Sequence, residues 1–129
     1  MGTNEQRQTG LEKLNEINPE GYQRIQSLLK DICPDLAEMI LEFPYGRIYP
    51  RAGLGVRTRE LVTIASLATL GFARDQLKAH IVNALNVGCK KEEIVETILQ
   101  MCVYAGFPAC LNAMFIAKDV FADKGLIGR

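Results

Sequence analysis

Residues 61–70, LVTIASLATL, are apolar or small on nearly every side of the helix they would form. A helix facing water needs a polar stripe, and this one has none wide enough, so it belongs in a core or between subunits. Thr58 stands where an N-cap is expected and Gly71 where a stop is expected, which predicts a helix over residues 59–70. The same punctuation recurs downstream. Leu77, Ile81, Ala84 and Leu85 mark a helix from Arg74 that stops at Gly88. Ile94, Val95, Ile98, Leu99 and Cys102 mark another that ends at Gly106. Phe107-Pro108 opens the last, with Leu111, Met114, Phe115 and Val120 as core candidates and Gly125 as its end.

Upstream, the polar residues 1–10 are expected to form a loose tail. Asn18-Pro19-Glu20 is expected to start a helix carrying Ile25, Leu28, Leu29 and Ile32. Cys33-Pro34-Asp35 restarts one carrying Leu36, Met39, Ile40 and Phe43. Residues 44–55 hold two prolines and three glycines, which forbid a continuous helix. The stretch reads either as the rim of a pocket or as a connecting loop. No period-2 alternation appears, so the expected fold is all-α, one compact multi-helix domain over residues 1–129. At this size much of the chain's surface stays uncovered, and helices with apolar surplus point to an oligomer.

Charge and cysteine usage narrow the function. Fifteen basic and fifteen acidic side chains cancel, and no basic run carries interleaved aromatics, so neither nucleic acid nor an anionic membrane is an expected partner. Cys33, Cys89, Cys102 and Cys110 form no CxxC, and one histidine cannot complete a zinc site with them; no metal is expected. The thiols read as buried, reduced side chains of a cytoplasmic protein. No leader peptide is expected from MGTNEQRQTG, and Arg7 stands where myristoylation takes Ser or Thr. The apolar run 61–72 is too short to cross a bilayer.

His80, the only imidazole, sits at the edge of the Leu77–Ile81–Ala84 face; it reads as a boundary residue or as a proton carrier. Glu60 opens the apolar helix, where an acid serves the helix dipole or acts as a buried proton-exchanging carboxylate. Along the axis, Glu60 lies ~16 Å from Gly71 and His80 only ~9 Å from Arg74. A simple hairpin therefore leaves the two out of register, and either a crossing or a second subunit would be needed to join them. Arg51, Arg57 and Arg59 are candidates to hold a substrate carboxylate, or solvated charges. Tyr45, Tyr49 and Tyr104 are candidate pocket aromatics, or packing residues.

Four strings carry a resemblance: PRAGL (50–54), RTRELVTIASLATLG (57–71), LKAHIVNALNVG (77–88) and EEIVETILQMCVYAGFPACLNAM (92–114). In order and spacing they resemble the carboxymuconolactone decarboxylase family. The resemblance implies an all-α domain, homo-oligomers (trimers or hexamers), and a site between helices. It implies either decarboxylation of 4-carboxymuconolactone or, as in alkyl hydroperoxidase D relatives, a Glu–CxxC–His relay. Glu60 and His80 match that relay, but Gln76, Ala73 and Arg74 occupy the region of its thiols. Against the decarboxylase pattern, an acid stands at Glu60, and Tyr49-Pro50-Arg51-Ala52-Gly53 replaces a Trp-Ser-Arg-Pro-Gly loop.

The expected function is a cofactor-free decarboxylase acting on a small carboxylated lactone or related acid. His80 would deliver a proton, Glu60 would orient or reprotonate it, Arg51 would hold the carboxylate, and Tyr49 and Tyr104 would line the site. The alternatives are a peroxiredoxin-like thiol protein using Cys102 or Cys110, and a non-catalytic oligomer that binds a small ligand.

Overall fold

A computed structural model describes residues 3–128. Every regular element among them is helical, as the all-α expectation requires. The chain divides into two compact units, Met1–Gly55 and Val56–Arg129, each described by itself.

The first unit begins with α1 (Asn4–Ile17), capped by a reciprocal box in which Thr3 Oγ1 accepts from the Gln6 amide and Gln6 Oε1 accepts from the Thr3 amide. Residues 4–10 of the expected loose tail are therefore helix; Met1 and Gly2 lie outside the described residues. What secures this helix is close packing on the segment Leu41–Ile48. A Cβ on Gly10 would overlap the Leu41 carbonyl, and one on Gly46 would crowd the Gln6 carbonyl at 2.5 Å. Only glycine permits backbones this near.

Helices α2 (Gly21–Leu29) and α3 (Pro34–Ile40) follow. Asn18 does not cap α2 as expected: its Oδ1 accepts from the Glu20 amide in a local turn, and α2 starts later. Cys33-Pro34 does open α3, with proline at the first helical position. Residues 41–48, of which 44–48 were expected to be irregular, form a π-helical segment; the Tyr49 amide donates to the Pro44 carbonyl at 2.8 Å. Proline is compatible with this widened turn, which an α-helical register would not have tolerated. Arg7, Tyr22 and Glu38 tie α1, α2 and α3 together. Arg7 donates to Glu38 and Tyr22 at 3.1 Å, and Tyr22 donates to Glu38 at 2.9 Å. Leu28, Ile32, Leu36, Met39 and Phe43, which recur at helical spacing, are exposed, and so are Leu111 and Phe115 in the last helix, which were expected in the core.

The second unit consists of α4 (Val56–Leu70), α5 (Arg74–Asn86), α6 (Lys91–Tyr104) and α7 (Phe107–Asp123). The glycines assigned as stops, Gly71, Gly88, Gly106 and Gly125, all sit at positive φ beyond a helix end. Helix α4 starts two residues before Thr58, which lies inside it rather than capping it. Its buried row is Glu60, Ile64 and Ala68. Ile64 and Ala68 share one core with Leu77, Ile81 and Ala84 of α5, Ile94 and Ile98 of α6, and Ala113, Ala117 and Val120 of α7. The all-round apolar helix is thus only partly a core element: Val62 and Leu70 face outward.

Candidate active site

Glu60 lies one turn before Ile64 on the buried row of α4 and is fully enclosed. His80 projects from α5 between Leu77 and Ile81, both buried, but keeps 17% of its side chain exposed. Its Nδ1 stands 2.8 Å from Glu60 Oε1. The two helices therefore cross with enough offset to join residues that simple antiparallel axes would separate, and no second subunit is needed for the contact.

Glu60 Oε2, also buried, has no hydrogen-bond partner among the described residues. Leaving a buried carboxylate oxygen unpaired costs about 1–3 kcal/mol. Such an atom is seldom retained for stability, and the arrangement orders itself outward: a sealed carboxylate, an imidazole that touches it, and an imidazole edge that reaches solvent.

Around the carboxylate lies a frame that sequence inspection missed. Arg57, one turn before Glu60, forms an ion pair with Glu93 at 2.7 Å. Glu93 also accepts from the Lys90 amide at 2.8 Å, so that backbone bond first, and the Arg57 charge second, hold its carboxyl below the ordinary glutamate range. The Cys89 thiol donates to the Arg57 carbonyl at 3.6 Å. Burial pushes this thiol up, and the Glu93 and Glu60 carboxylates add to the effect against the Arg57 charge. The signal available in the sequence was the spacing of Arg57 and Glu60 on one helical face.

Of the other predicted site residues, Tyr104 belongs to this unit but is 75% exposed at the end of α6. Tyr49 and Arg51 belong to the first unit; the Tyr49 ring packs against Tyr45 at 5.0 Å between centroids, and Arg51 is exposed. Among the cysteines, Cys89 and Cys110 are buried as expected, Cys102 is half-buried, and Cys33 is exposed. Burial, followed by a hydrogen bond with Cys102, pushes the Cys110 thiol up to about 11. A thiol held protonated in this way is a poor peroxide nucleophile.

Residues 34–119 match the carboxymuconolactone decarboxylase family. The chain belongs to that family. The match contains Glu60 and His80 as well as Tyr49, Arg51 and Tyr104. Over 127 residues the chain is 38% identical to a 4-carboxymuconolactone decarboxylase of Acinetobacter baylyi, covering 98% of this chain and 94% of that protein. It is 34% identical over 118 residues to an uncharacterized 15.0 kDa protein of Paracoccus denitrificans, covering 91% of this chain and 88% of that one. It is 29% identical over 106 residues to a nitrosuccinic acid decarboxylase of Metarhizium robertsii, covering 80% and 73%. Family and relatives together make this a decarboxylase-like enzyme, a carboxy-lyase by class.

Proposed function

We propose that this enzyme removes carbon dioxide from a small carboxylated lactone, such as 4-carboxymuconolactone, or from a related acid, with His80 as its proton donor. The observation that carries the proposal is the 2.8 Å contact between a half-buried imidazole and a fully buried carboxylate. Similarity to two proteins named as decarboxylases supports the reaction class.

Loss of carbon dioxide leaves an electron pair on carbon. Where that carbon is conjugated through a double bond to a lactone carbonyl, the pair delocalises into a dienolate. The protein then has to stabilise the oxyanion and return one proton. Glu60 accepts a hydrogen bond from His80 Nδ1–H, which fixes the tautomer and stabilises the imidazolium. Nε2, on the far side of the ring, is the nitrogen left to face substrate, and it delivers the proton. Because the lactone itself serves as electron sink, the chemistry requires neither metal nor organic cofactor.

Arg51 enters the proposal as the residue that holds the departing carboxylate, with Tyr49 and Tyr104 as substrate contacts. Arg57 is a weaker candidate, since Glu93 already engages its guanidinium. A homo-oligomer, trimer or hexamer, is also proposed. Leu99 and Val103 on α6, and Phe107, Leu111 and Phe115 on α7, are exposed apolar residues at four-residue spacing. Stripes of this kind are suited to burial against another copy. A cytoplasmic setting is in keeping with three free cysteines at least partly shielded in the fold.

The test is release of carbon dioxide from 4-carboxymuconolactone and related carboxylated lactones by the purified protein. Turnover by wild type that falls ~10²–10⁴-fold in His80→Gln supports the assignment. Turnover unchanged in His80→Gln removes the imidazole from the mechanism, and binding without turnover favours the non-catalytic alternative.

A further inference from the structure

We propose that Cys102 and Cys110 form a redox-modifiable pair that closes to an intrachain disulfide on reaction with a small-molecule disulfide. Three observations place the sulfurs together. The two residues stand four positions to either side of Gly106, the turn between α6 and α7, and so face each other across that hairpin. The Cys110 thiol donates to the Ile98 carbonyl at 3.4 Å, one helical turn before Cys102 on α6. Cys102 is also close enough to be one of the groups that raise the Cys110 thiol. Both cysteines are free in the structure.

The two thiols differ in access, and that difference sets their order of reaction. Cys102 is half-buried, whereas Cys110 is enclosed. The Cys102 thiolate attacks one sulfur of the small disulfide, which breaks the S–S bond and releases one thiol. Cys110 then gives up its proton to solvent and attacks the Cys102 sulfur, releasing the second thiol. Two protein thiols are oxidised, one small disulfide is reduced to two thiols, and the two thiol protons end on the released thiols. The second step is the slow one, because burial and the hydrogen bond with Cys102 keep the Cys110 thiol protonated to about 11. Its rate therefore rises about tenfold per pH unit below that value.

The pair's chemistry does not depend on the decarboxylase assignment: its cysteines lie on α6 and α7, whereas the Glu60–His80 contact joins α4 and α5. The experiment uses the full chain carrying Cys33→Ser, which removes the exposed thiol, incubated with oxidised glutathione under native conditions. Intact mass is expected to fall by about 2 Da, after transient appearance of an adduct about 305 Da heavier. Chymotrypsin cuts after Tyr104, between the cysteines, so the two fragments are expected to stay joined until reduced. With Cys110→Ser added, reaction is expected to stop at the adduct; with Cys102→Ala, no adduct forms. Buried Cys89 serves as the folding control and is expected to stay unmodified in every variant that counts. A native protein that remains fully reduced, or a 2 Da loss that survives Cys110→Ser, overturns the proposal. Because Cys102→Ala alters a half-buried position, its outcome stands even if Cys110→Ser fails to fold.

Discussion

Replacing Glu60 with methionine is expected to stabilise the protein while abolishing most of its activity. The carboxylate has two opposing contributions. Its hydrogen bond with His80 Nδ1, at 2.8 Å, contributes on the order of 1–3 kcal/mol. Its other oxygen is buried without a partner, at a cost of about 1–3 kcal/mol. These nearly cancel. Methionine keeps the length and volume of the side chain and adds roughly 1 kcal/mol of apolar burial among Ile64 and its neighbours. His80, freed of its partner, keeps 17% of its side chain exposed and can hydrogen-bond to solvent instead. The expected net gain is about 1–2 kcal/mol, which at roughly 2 kcal/mol per molar urea moves the unfolding midpoint upward by about 0.5–1 M. The assay is equilibrium urea unfolding at one fixed protomer concentration, paired with the rate of carbon dioxide release. A drop in midpoint of similar size would show that Oε2 is well satisfied and that Glu60 is a structural residue.

Three further perturbations test other parts of the structure. Gly10→Ala places a methyl group on the Leu41 carbonyl and is expected to destabilise the first unit by ~3 kcal/mol or more; unchanged proteolytic resistance of residues 3–55 would contradict this. Burial alone would raise the Glu38 carboxyl, but the Arg7 and Tyr22 hydrogen bonds and the Arg7 charge outweigh it and hold the group below its ordinary 4.5. Its contribution is therefore complete above that value and is lost as pH falls through the folded-state value; between about pH 6 and 3, Glu38→Gln is expected to lose less stability than wild type in urea titrations. Leu111→Lys together with Phe115→Lys is expected to shift the assembly toward smaller species in light scattering, and an unchanged mass would move the interface elsewhere.

Much of the second unit was legible because glycine punctuates it. Gly71, Gly88, Gly106 and Gly125 mark four helix ends, and a left-handed residue is a local requirement that sequence displays directly. The first unit was harder to read for two physical reasons. Residues 44–48 look like a helix breaker, yet a π-helical register absorbs Pro44. Leu28 and Ile32 repeat at core spacing but face outward, because periodicity reports an apolar face and not what covers it. The candidate site divides in the same way. Glu60 and His80 could be named from residue type and family resemblance, but their 2.8 Å contact depends on how α4 and α5 cross, which local sequence does not encode. The Arg57–Glu93 pair and the placement of Cys89 beside it link residues 32 and 36 positions apart and emerge only from packing.

A double-mutant cycle on turnover tests the proton-relay assignment most directly. Glu60→Gln, His80→Gln and the double variant are compared with wild type for carbon dioxide release at saturating 4-carboxymuconolactone, or at saturation with whichever carboxylated lactone the enzyme turns over. If the buried carboxylate acts only through the imidazole, the double variant is expected to be no slower than His80→Gln alone, with a coupling of the order of 1–3 kcal/mol. Losses that simply multiply would mean that Glu60 and His80 act independently, and the relay would have to be abandoned.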